Sequence, residues 1–330
     1  MFVTLKAGTL VRYKIIEGGG SMFEERLSIE EFQDRFSTEK DCMDYLYEAK
    51  WPYGFVCPEC GHSHAYVTKT RHRPLYECAN CHQQTSLTAG TILEKTRTDL
   101  RKWFTAFYLI STPKSISALK LMDIIHVTYK TAWSMLCKIR HAISTGDVSC
   151  PLSGSVFVNK GRHGRIRGME SLERKETLFV GASLDQDQKP NYIKVKLFDD
   201  QMDSTIKIPI VKTRLIRSDF LKKHVVPQPA SLDFSHFFNF TNEGVFKLFK
   251  EAKNWIYKTF NGLCHKRMQP YYDEVCYRIN MGLNAEPIFT NLVERCMRTN
   301  NKPMEKKTYP MIPFIQVLNL TKSLIRVSYP

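Results

Sequence analysis

From Ser28 onward the apolar residues Ile29, Phe32 and Phe36 recur at helical spacing, and Thr38 can cap a second helix that turns Cys42, Tyr45 and Leu46 inward. Both helices are expected to stop before Trp51-Pro52, since the residue ahead of a proline is pushed out of helical geometry. Between residues 55 and 91 the helical period disappears. Short alternating runs such as Tyr66-Val67-Thr68 and Leu75-Tyr76-Glu77, set among Cys, His and Gly, predict small hairpins instead. The helical period returns over 99–143 as three helices, Asp99–Ser111, Ser115–Ile124 and Thr128–Ile143, each opening at a residue able to accept the first unpaired N–H groups.

Past Cys150-Pro151 the pattern becomes strand-like at Ser155–Val158, Thr177–Ser183, Tyr192–Leu197 and Arg214–Arg217. Long helical segments follow near 242–260, 266–281 and 287–298. Strands followed by helices predict an α+β or α/β layer on a mixed sheet. No internal repeat is visible. Gly18-Gly19-Gly20-Ser21 is a flexible break, which sets 1–21 aside as an appendage or linker. The expected organisation is an α+β multidomain chain: N-terminal helices over 22–54, a cysteine-rich ribbon over 55–92, a helical bundle over 97–145, a mixed-sheet core over 152–299 and a basic tail over 300–330.

Charge sharpens this division. Lys and Arg number 48 against 33 Asp and Glu, a formal excess of +15, which points to a polyanionic partner. The excess is uneven: residues 22–48 carry nine acids and three bases, whereas 68–141 carry twelve bases and four acids. Nucleic acid would avoid the first stretch and settle on the second. No apolar run approaches the roughly 18 residues of a membrane span, and no secretion signal is visible, so the expected location is cytoplasmic and nucleoid-associated.

Cys57-Pro58-Glu59-Cys60 and, seventeen residues on, Cys78-Ala79-Asn80-Cys81 have the spacing of two knuckles that share one structural zinc. Four thiolates from Cys57, Cys60, Cys78 and Cys81 would close the tetrahedron, leaving no open position for chemistry. His62, His64, His72 and His82 crowd the same segment and read as surface residues. The helix opening at Thr128 sets Tyr129, Lys130, Thr131, Ser134, Lys138 and Arg140 around the apolar Ala132, Met135, Leu136 and Ile139. A short polar and basic helix after a helix and a turn is what major-groove reading of double-stranded DNA requires; a bundle whose last helix merely has a solvated basic face is the alternative.

Residues 29–143 resemble the N-terminal part of the zinc-ribbon insertion-sequence transposases, bacterial relatives of the eukaryotic Merlin elements. The segments that carry the resemblance are EFQDRFSTEKDCMDYLYEAKWPYGFVCPECG, LYECANCHQQTSLTAGTIL, TDLRKWFTAFYLIS and YKTAWSMLCKIRHAI. In the C-terminal half TNEGVFKLFKEAKNWIYKTFNG and QPYYDEVCYRIN are similar to the family segment that bears its last catalytic acid. The resemblance implies an RNase H-like core of DDE type, in which three carboxylates hold two Mg or Mn ions for cleavage and transfer of DNA strands at element ends. A homodimer on DNA is compatible with that reading, and the sequence leaves the oligomeric state open.

Matched by motif, the third acid is Glu243, with Lys247 and Lys250 on the same helical face to meet phosphate, and the second is Asp219 at the end of the predicted strand Arg214–Ser218. The first departs from the pattern. Where the family reads Val-Glu-Val-Asp-Glu, this chain reads Val156-Phe157-Val158-Asn159-Lys160. Asn159 offers an amide without charge and Lys160 adds a cation, so the resemblance implies impaired catalysis. Asp199 and Asp200 are spare acids, and Arg162, Arg165 and Arg167, among Gly161, Gly164 and Gly168, read as a basic loop on DNA. Two functions follow: a DNA-binding protein of the transposase type with an impaired nuclease core, or a regulator or accessory protein that keeps the core as a scaffold. A general transcription zinc-ribbon factor explains the cysteines but not TNEGVFKLFK.

Overall fold

A computed structural model describes residues 28–68, 73–114, 116–163, 176–197, 209–235, 241–260 and 268–300. The N-terminal helices are α1 (Ile29–Arg35) and α2 (Glu39–Lys50). Each starts at a capping box, Ser28 with Glu31 and Thr38 with Asp41, in which side chain and backbone satisfy each other's end groups. A three-stranded antiparallel sheet follows, of β1 (Ala65–Thr68), β2 (Leu75–Cys78) and β3 (Gln84–Ser86). The helical segment is α3 (Leu100–Ser111), α4 (Ala118–Ile125) and α5 (Tyr129–Val148), capped by Asp99, Ser117 and Thr128. The sequence pattern ended α5 at Ile143, but its last turns carry Ser144 and Asp147, whose side chains are held by the second half of the chain.

The second sheet has the order β6-β5-β4-β7, built from β4 (Ser155–His163), β5 (Glu176–Leu184), β6 (Pro190–Leu197) and β7 (Ser231–Phe234). β4, β5 and β6 are antiparallel neighbours, and β7 runs parallel to β4 with Phe157 opposite Asp233. The connection from β6 to β7 contains α6 (Pro209–His224), and α7 (Glu243–Thr259), α8 (Gln269–Leu283) and α9 (Ile288–Arg298) complete the described chain. The predicted strand Arg214–Ser218 lies inside α6. Its run of apolar and basic residues is too short for periodicity to separate strand from helix, and packing decides.

Alternation along β4 sends its side chains to two cores. Val156 and Val158 join Phe220 and Val225 beneath α6, while Phe157 joins Val245, Phe249, Tyr272 and Val275 beneath α7 and α8. The helices press close enough to require glycine on both faces. A Cβ on Gly161 would fall 2.8 Å from Phe249 Cζ, and one on Gly181 would fall 3.0 Å from Phe220 Cζ. Gly161 therefore belongs to a tightly packed strand; the rest of the expected basic loop, with Gly164, Arg165, Arg167 and Gly168, lies outside the described residues.

The N-terminal helices and the C-terminal end share one core. Phe289 of α9 lies 5.6 Å from Phe36 and 6.1 Å from both Phe32 and Phe104, ring centroid to centroid. Leu292, Val293 and Cys296 of α9 and Tyr277 and Met281 of α8 join the same cluster, so the expected boundary near residue 150 is not a boundary of packing.

Candidate metal centre and nucleic-acid interface

The two knuckles have the same backbone. Cys57 N donates to His62 O and Gly61 N to Cys57 O; in the second knuckle Cys78 N donates to Gln83 O and His82 N to Cys78 O, all at 2.9 to 3.0 Å. Each loop turns through a left-handed residue, Gly61 at φ 73° and His82 at φ 58°. These turns aim the sulfurs at one point. The four Sγ atoms lie within 4.8 Å of one another, with Cys57 3.5 Å from Cys81 and Cys60 3.5 Å from Cys78. Four sulfurs at a Zn–S distance of about 2.3 Å sit about 3.8 Å apart, so the cluster fits zinc. Cys57 and Cys78 are buried against the helical core, next to Trp51, Phe55 and Tyr76, so the metal site is part of the packing. His62, His64 and His82 stay outside the cluster, and His72 lies outside the described residues.

The N-terminal turns of α5 present Tyr129, Lys130 and Trp133 to solvent, with Tyr129 51% and Trp133 39% exposed. α4 ends at His126 in the left-handed region, and a three-residue turn leads into α5. Thr131 and Ser134 are half-buried. Lys138 sits lower on the helix with its ammonium 6.0 Å from the Trp103 ring, and burial lowers its pKa. Arg140 does not face solvent. Its side chain is 3% exposed and bonds Glu274 at 2.7 Å, because α8 covers this part of α5.

Arg140 instead opens a buried polar seam between α5, β6 and α8. Glu274 also holds Arg278 at 2.8 Å. Burial would raise the Glu274 carboxyl, but the two guanidinium groups outweigh it and hold the pKa below the usual value. Asp147 accepts from Lys194 at 3.2 Å and Lys196 at 2.7 Å, and Lys196 also meets Asp273 at 2.6 Å. The sequence pattern left this seam unseen, since its members come from α5, β6 and α8, and only Glu274 and Arg278 stand at i, i+4 spacing in one helix.

The three residues expected to bind two metals are not brought together. Asn159 is fully buried near the middle of β4, on the α7 face with Phe157. Asp219 is on α6, under the opposite face, and its carboxylate bonds Lys223 at 2.5 Å. Glu243 is exposed at the first turn of α7, which is fastened to the β5–β6 turn by Asn242 Nδ2 donating to Gln188 O at 3.0 Å. That turn lies beyond Ser155, four residues back from Asn159 and two strands over. With about 3.3 Å per residue and about 4.8 Å per strand, the backbones of Asn159 and Glu243 are on the order of 15 Å apart. Two-metal chemistry needs ligands around ions about 4 Å apart, and these residues do not fit such a pair. Lys247 and Lys250 are exposed on α7 and Arg162 is exposed on β4, whereas Asp199 and Asp200 lie outside the described residues. Asp233, exposed on β7 and opposite Phe157, is the acid nearest in register to Asn159; its place in a short strand after Pro227 and Pro229 was the signal that could have found it.

Comparison with known proteins now adds a likeness. Residues 37–84 match the transposase zinc-ribbon domain of the IS1595 type. A protein described as uncharacterized, in transposable element ISH50 of Halobacterium salinarum, is 28% identical over 167 residues, which is 48% of this chain. The match covers 55% of that relative's length. No solved structure matches. Together the ribbon and the insertion-element relative support a transposase-related protein.

Proposed function

We propose that this transposase-related chain binds double-stranded DNA through α4, α5 and the zinc ribbon, and that its second sheet is a scaffold rather than a working nuclease. The observation that carries the reading is the pairing of an exposed Tyr129-Lys130-Trp133 face with three dispersed site residues. A helix, a three-residue turn and a second helix resemble a helix-turn-helix, whose second helix enters the major groove N-terminus first. The regional basic excess supports the same face. Strand order β6-β5-β4-β7, with a parallel last strand and helices on both faces, supports an RNase H-like ancestry for the core. Within that ancestry Asp233, not Asp219, is the better match for the second acid, as it lies on the strand beside β4.

Zinc here holds the ribbon in shape. Asn159, Asp219 and Glu243 do not gather around a pair of Mg or Mn ions, so the sheet does not fit two-metal strand cleavage. The test offers element-end duplex DNA to the full chain across a salt series, with and without magnesium. Salt-sensitive binding without strand cleavage is expected. Robust cleavage abolished by Glu243→Gln would refute the scaffold reading, and binding indifferent to salt would refute the DNA reading.

A further inference from the structure

The first turns of α5 carry little that can read a base edge by hydrogen bonds. Arg, Asn, Gln, Asp and Glu pair most selectively with base edges, and none of them occurs from Thr128 to Cys137. Arg140, the one arginine of α5, is held by Glu274 at 2.7 Å. The Thr131 hydroxyl lies 2.9 Å from that of Thr128, which also accepts the Thr131 amide, so it belongs to the helix cap. Lys130, exposed, and Ser134, half-buried, are the polar side chains left. The rest of the exposed surface here is aromatic: Tyr129 and Trp133 stand at i, i+4, neighbours on one stripe of the helix.

The charges around this pair suit a polyanion. The first turn of α5 carries no acid, and its unpaired N–H groups make that end of the helix positive. Lys102 of α3 donates to His126 O at 3.2 Å, which sets a second ammonium beside Lys130 at the turn that leads into α5. Such cations hold phosphate and fix register, but they carry no sequence information. Selection then falls to the two rings, and the apolar feature that the major groove offers them is the C5-methyl group of thymine.

We propose that Tyr129 and Trp133 read thymine methyl groups, so that the duplex preferred by this chain is rich in thymine at the positions under α5. The inference rests on the DNA-binding reading and adds which bases are selected. Under an aromatic ring the amino groups of adenine and cytosine, or the O6 of guanine, lose water without gaining a partner, whereas a methyl group gains by leaving water. Stacking on unpaired bases is the other chemistry open to aromatic side chains. It needs an open ring face, and more than half of Trp133 is already covered by the protein.

The test uses short labelled duplexes of alternating sequence, titrated with the full chain at several salt concentrations. One alternates adenine with thymine, and a second replaces thymine by deoxyuridine, which lacks only the methyl group. A third alternates guanine with cytosine, and a fourth uses 5-methylcytosine, which gains a methyl at the same place in the groove. Burying one methyl group is worth about fourfold in affinity, so two rings should make the thymine duplex about tenfold tighter than its uracil counterpart, and methylated cytosine should tighten binding in the same sense. Tyr129→Ala with Trp133→Ala, both on exposed side chains, should abolish these ratios. Lys130→Ala should weaken all four duplexes alike and leave the ratios unchanged. Salt-sensitive binding with equal affinity for thymine and uracil duplexes would overturn this inference and leave the DNA reading standing. A chain that binds no duplex would overturn both. A methyl preference that survives the double variant, tighter binding to single-stranded thymine than to the duplex, or self-association that disappears with Trp133→Ala would each give the aromatic pair a different role and overturn the proposal.

Discussion

The zinc ribbon and the second sheet differ in how a chemical site is held together. In the ribbon all four sulfurs come from two turns of four residues, and short backbone bonds within each turn aim them. In the sheet Asn159, Asp219 and Glu243 sit on a strand and two helices, so gathering them depends on register, on which face each helix covers and on where each helix begins. A locally built site tolerates change in the rest of the chain, whereas a distributed one is lost when a single element is re-aimed.

The largest effect expected on this contrast is metal removal. Structural zinc in such sites contributes on the order of 10 kcal/mol of binding free energy that is also folding free energy. Chelation, or Cys78→Ser, should unfold the ribbon and expose its Tyr76 together with Trp51, which packs on Tyr76. Elemental analysis should find one zinc per chain, and tryptophan emission should shift to the red as it leaves. Less than half an equivalent of zinc, with freely alkylated thiols, would break the comparison at its stronger end.

The sheet should prove sensitive through packing. Glu274→Ala leaves Arg140 and Arg278 buried without their carboxylate, a loss of about 3–5 kcal/mol in a denaturant titration. A loss below about 1 kcal/mol would mean that water reaches the seam and that α5 is only loosely joined to the sheet.

These two regions also show how far the sequence could be read. The helical pattern that starts at Ser28, the caps at Thr38, Asp99 and Thr128, and the cysteine knuckles are local signals, and the structure has each where the sequence places it. What escaped was non-local. Arg140 looks like a DNA contact on a helical wheel, and only the packing of α8 shows that it is buried. Arg214–Ser218 reads as a strand because five residues with one adjacent apolar pair are too few to show a helical period. The covering of β6 by Gln269 and Asn280 depends on a register that one chain's pattern does not contain.

If the sheet is a scaffold, restoring an acid should damage it rather than revive it. Asn159→Asp places a carboxyl at a fully buried position, and burial raises the pKa of such a group. A folded pKa above the unfolded value of about 3.9 makes the penalty grow as pH rises, so the variant should lose roughly 3 kcal/mol at pH 7 and recover in acid. Melting temperatures at pH 7 and pH 4 would show this. A variant that is stable at neutral pH and cleaves DNA with magnesium would overturn the scaffold reading.

A smaller effect separates reading from packing on α5 itself. Lys130→Ala with Trp133→Ala should weaken duplex binding by about 1–3 kcal/mol and, through the lost lysine, reduce the salt slope by about 1, with stability nearly unchanged. Arg140→Gln should do the reverse. Fluorescence anisotropy at several salt concentrations, beside a melting curve, compares the two directly. Equal affinity in the double variant would favour the solvated-face alternative.

The smallest expected effect lies at the end of α6, where His224 is half-buried with its ring tilted against Phe220, 5.2 Å between ring centroids. Burial, followed by the Lys196 and Lys194 cations, outweighs Asp147 and lowers its pKa to about 3. In the unfolded chain the ring takes a proton near pH 6.5, whereas in the folded chain it stays neutral. The unfolded state therefore binds more protons below 6.5, and stability falls as pH falls through that value. Depressed carboxylates such as Glu274 add to acid loss only near and below pH 4.5, so the range from 6.5 to 5 separates histidine titration from theirs. A loss on the order of 1 kcal/mol is expected there, and His224→Leu should flatten it. If the slope between pH 6.5 and 5 persists in that variant, the sheet's underside is open to water, and the contrast between a packed scaffold and a hydrated former active site would have to be redrawn.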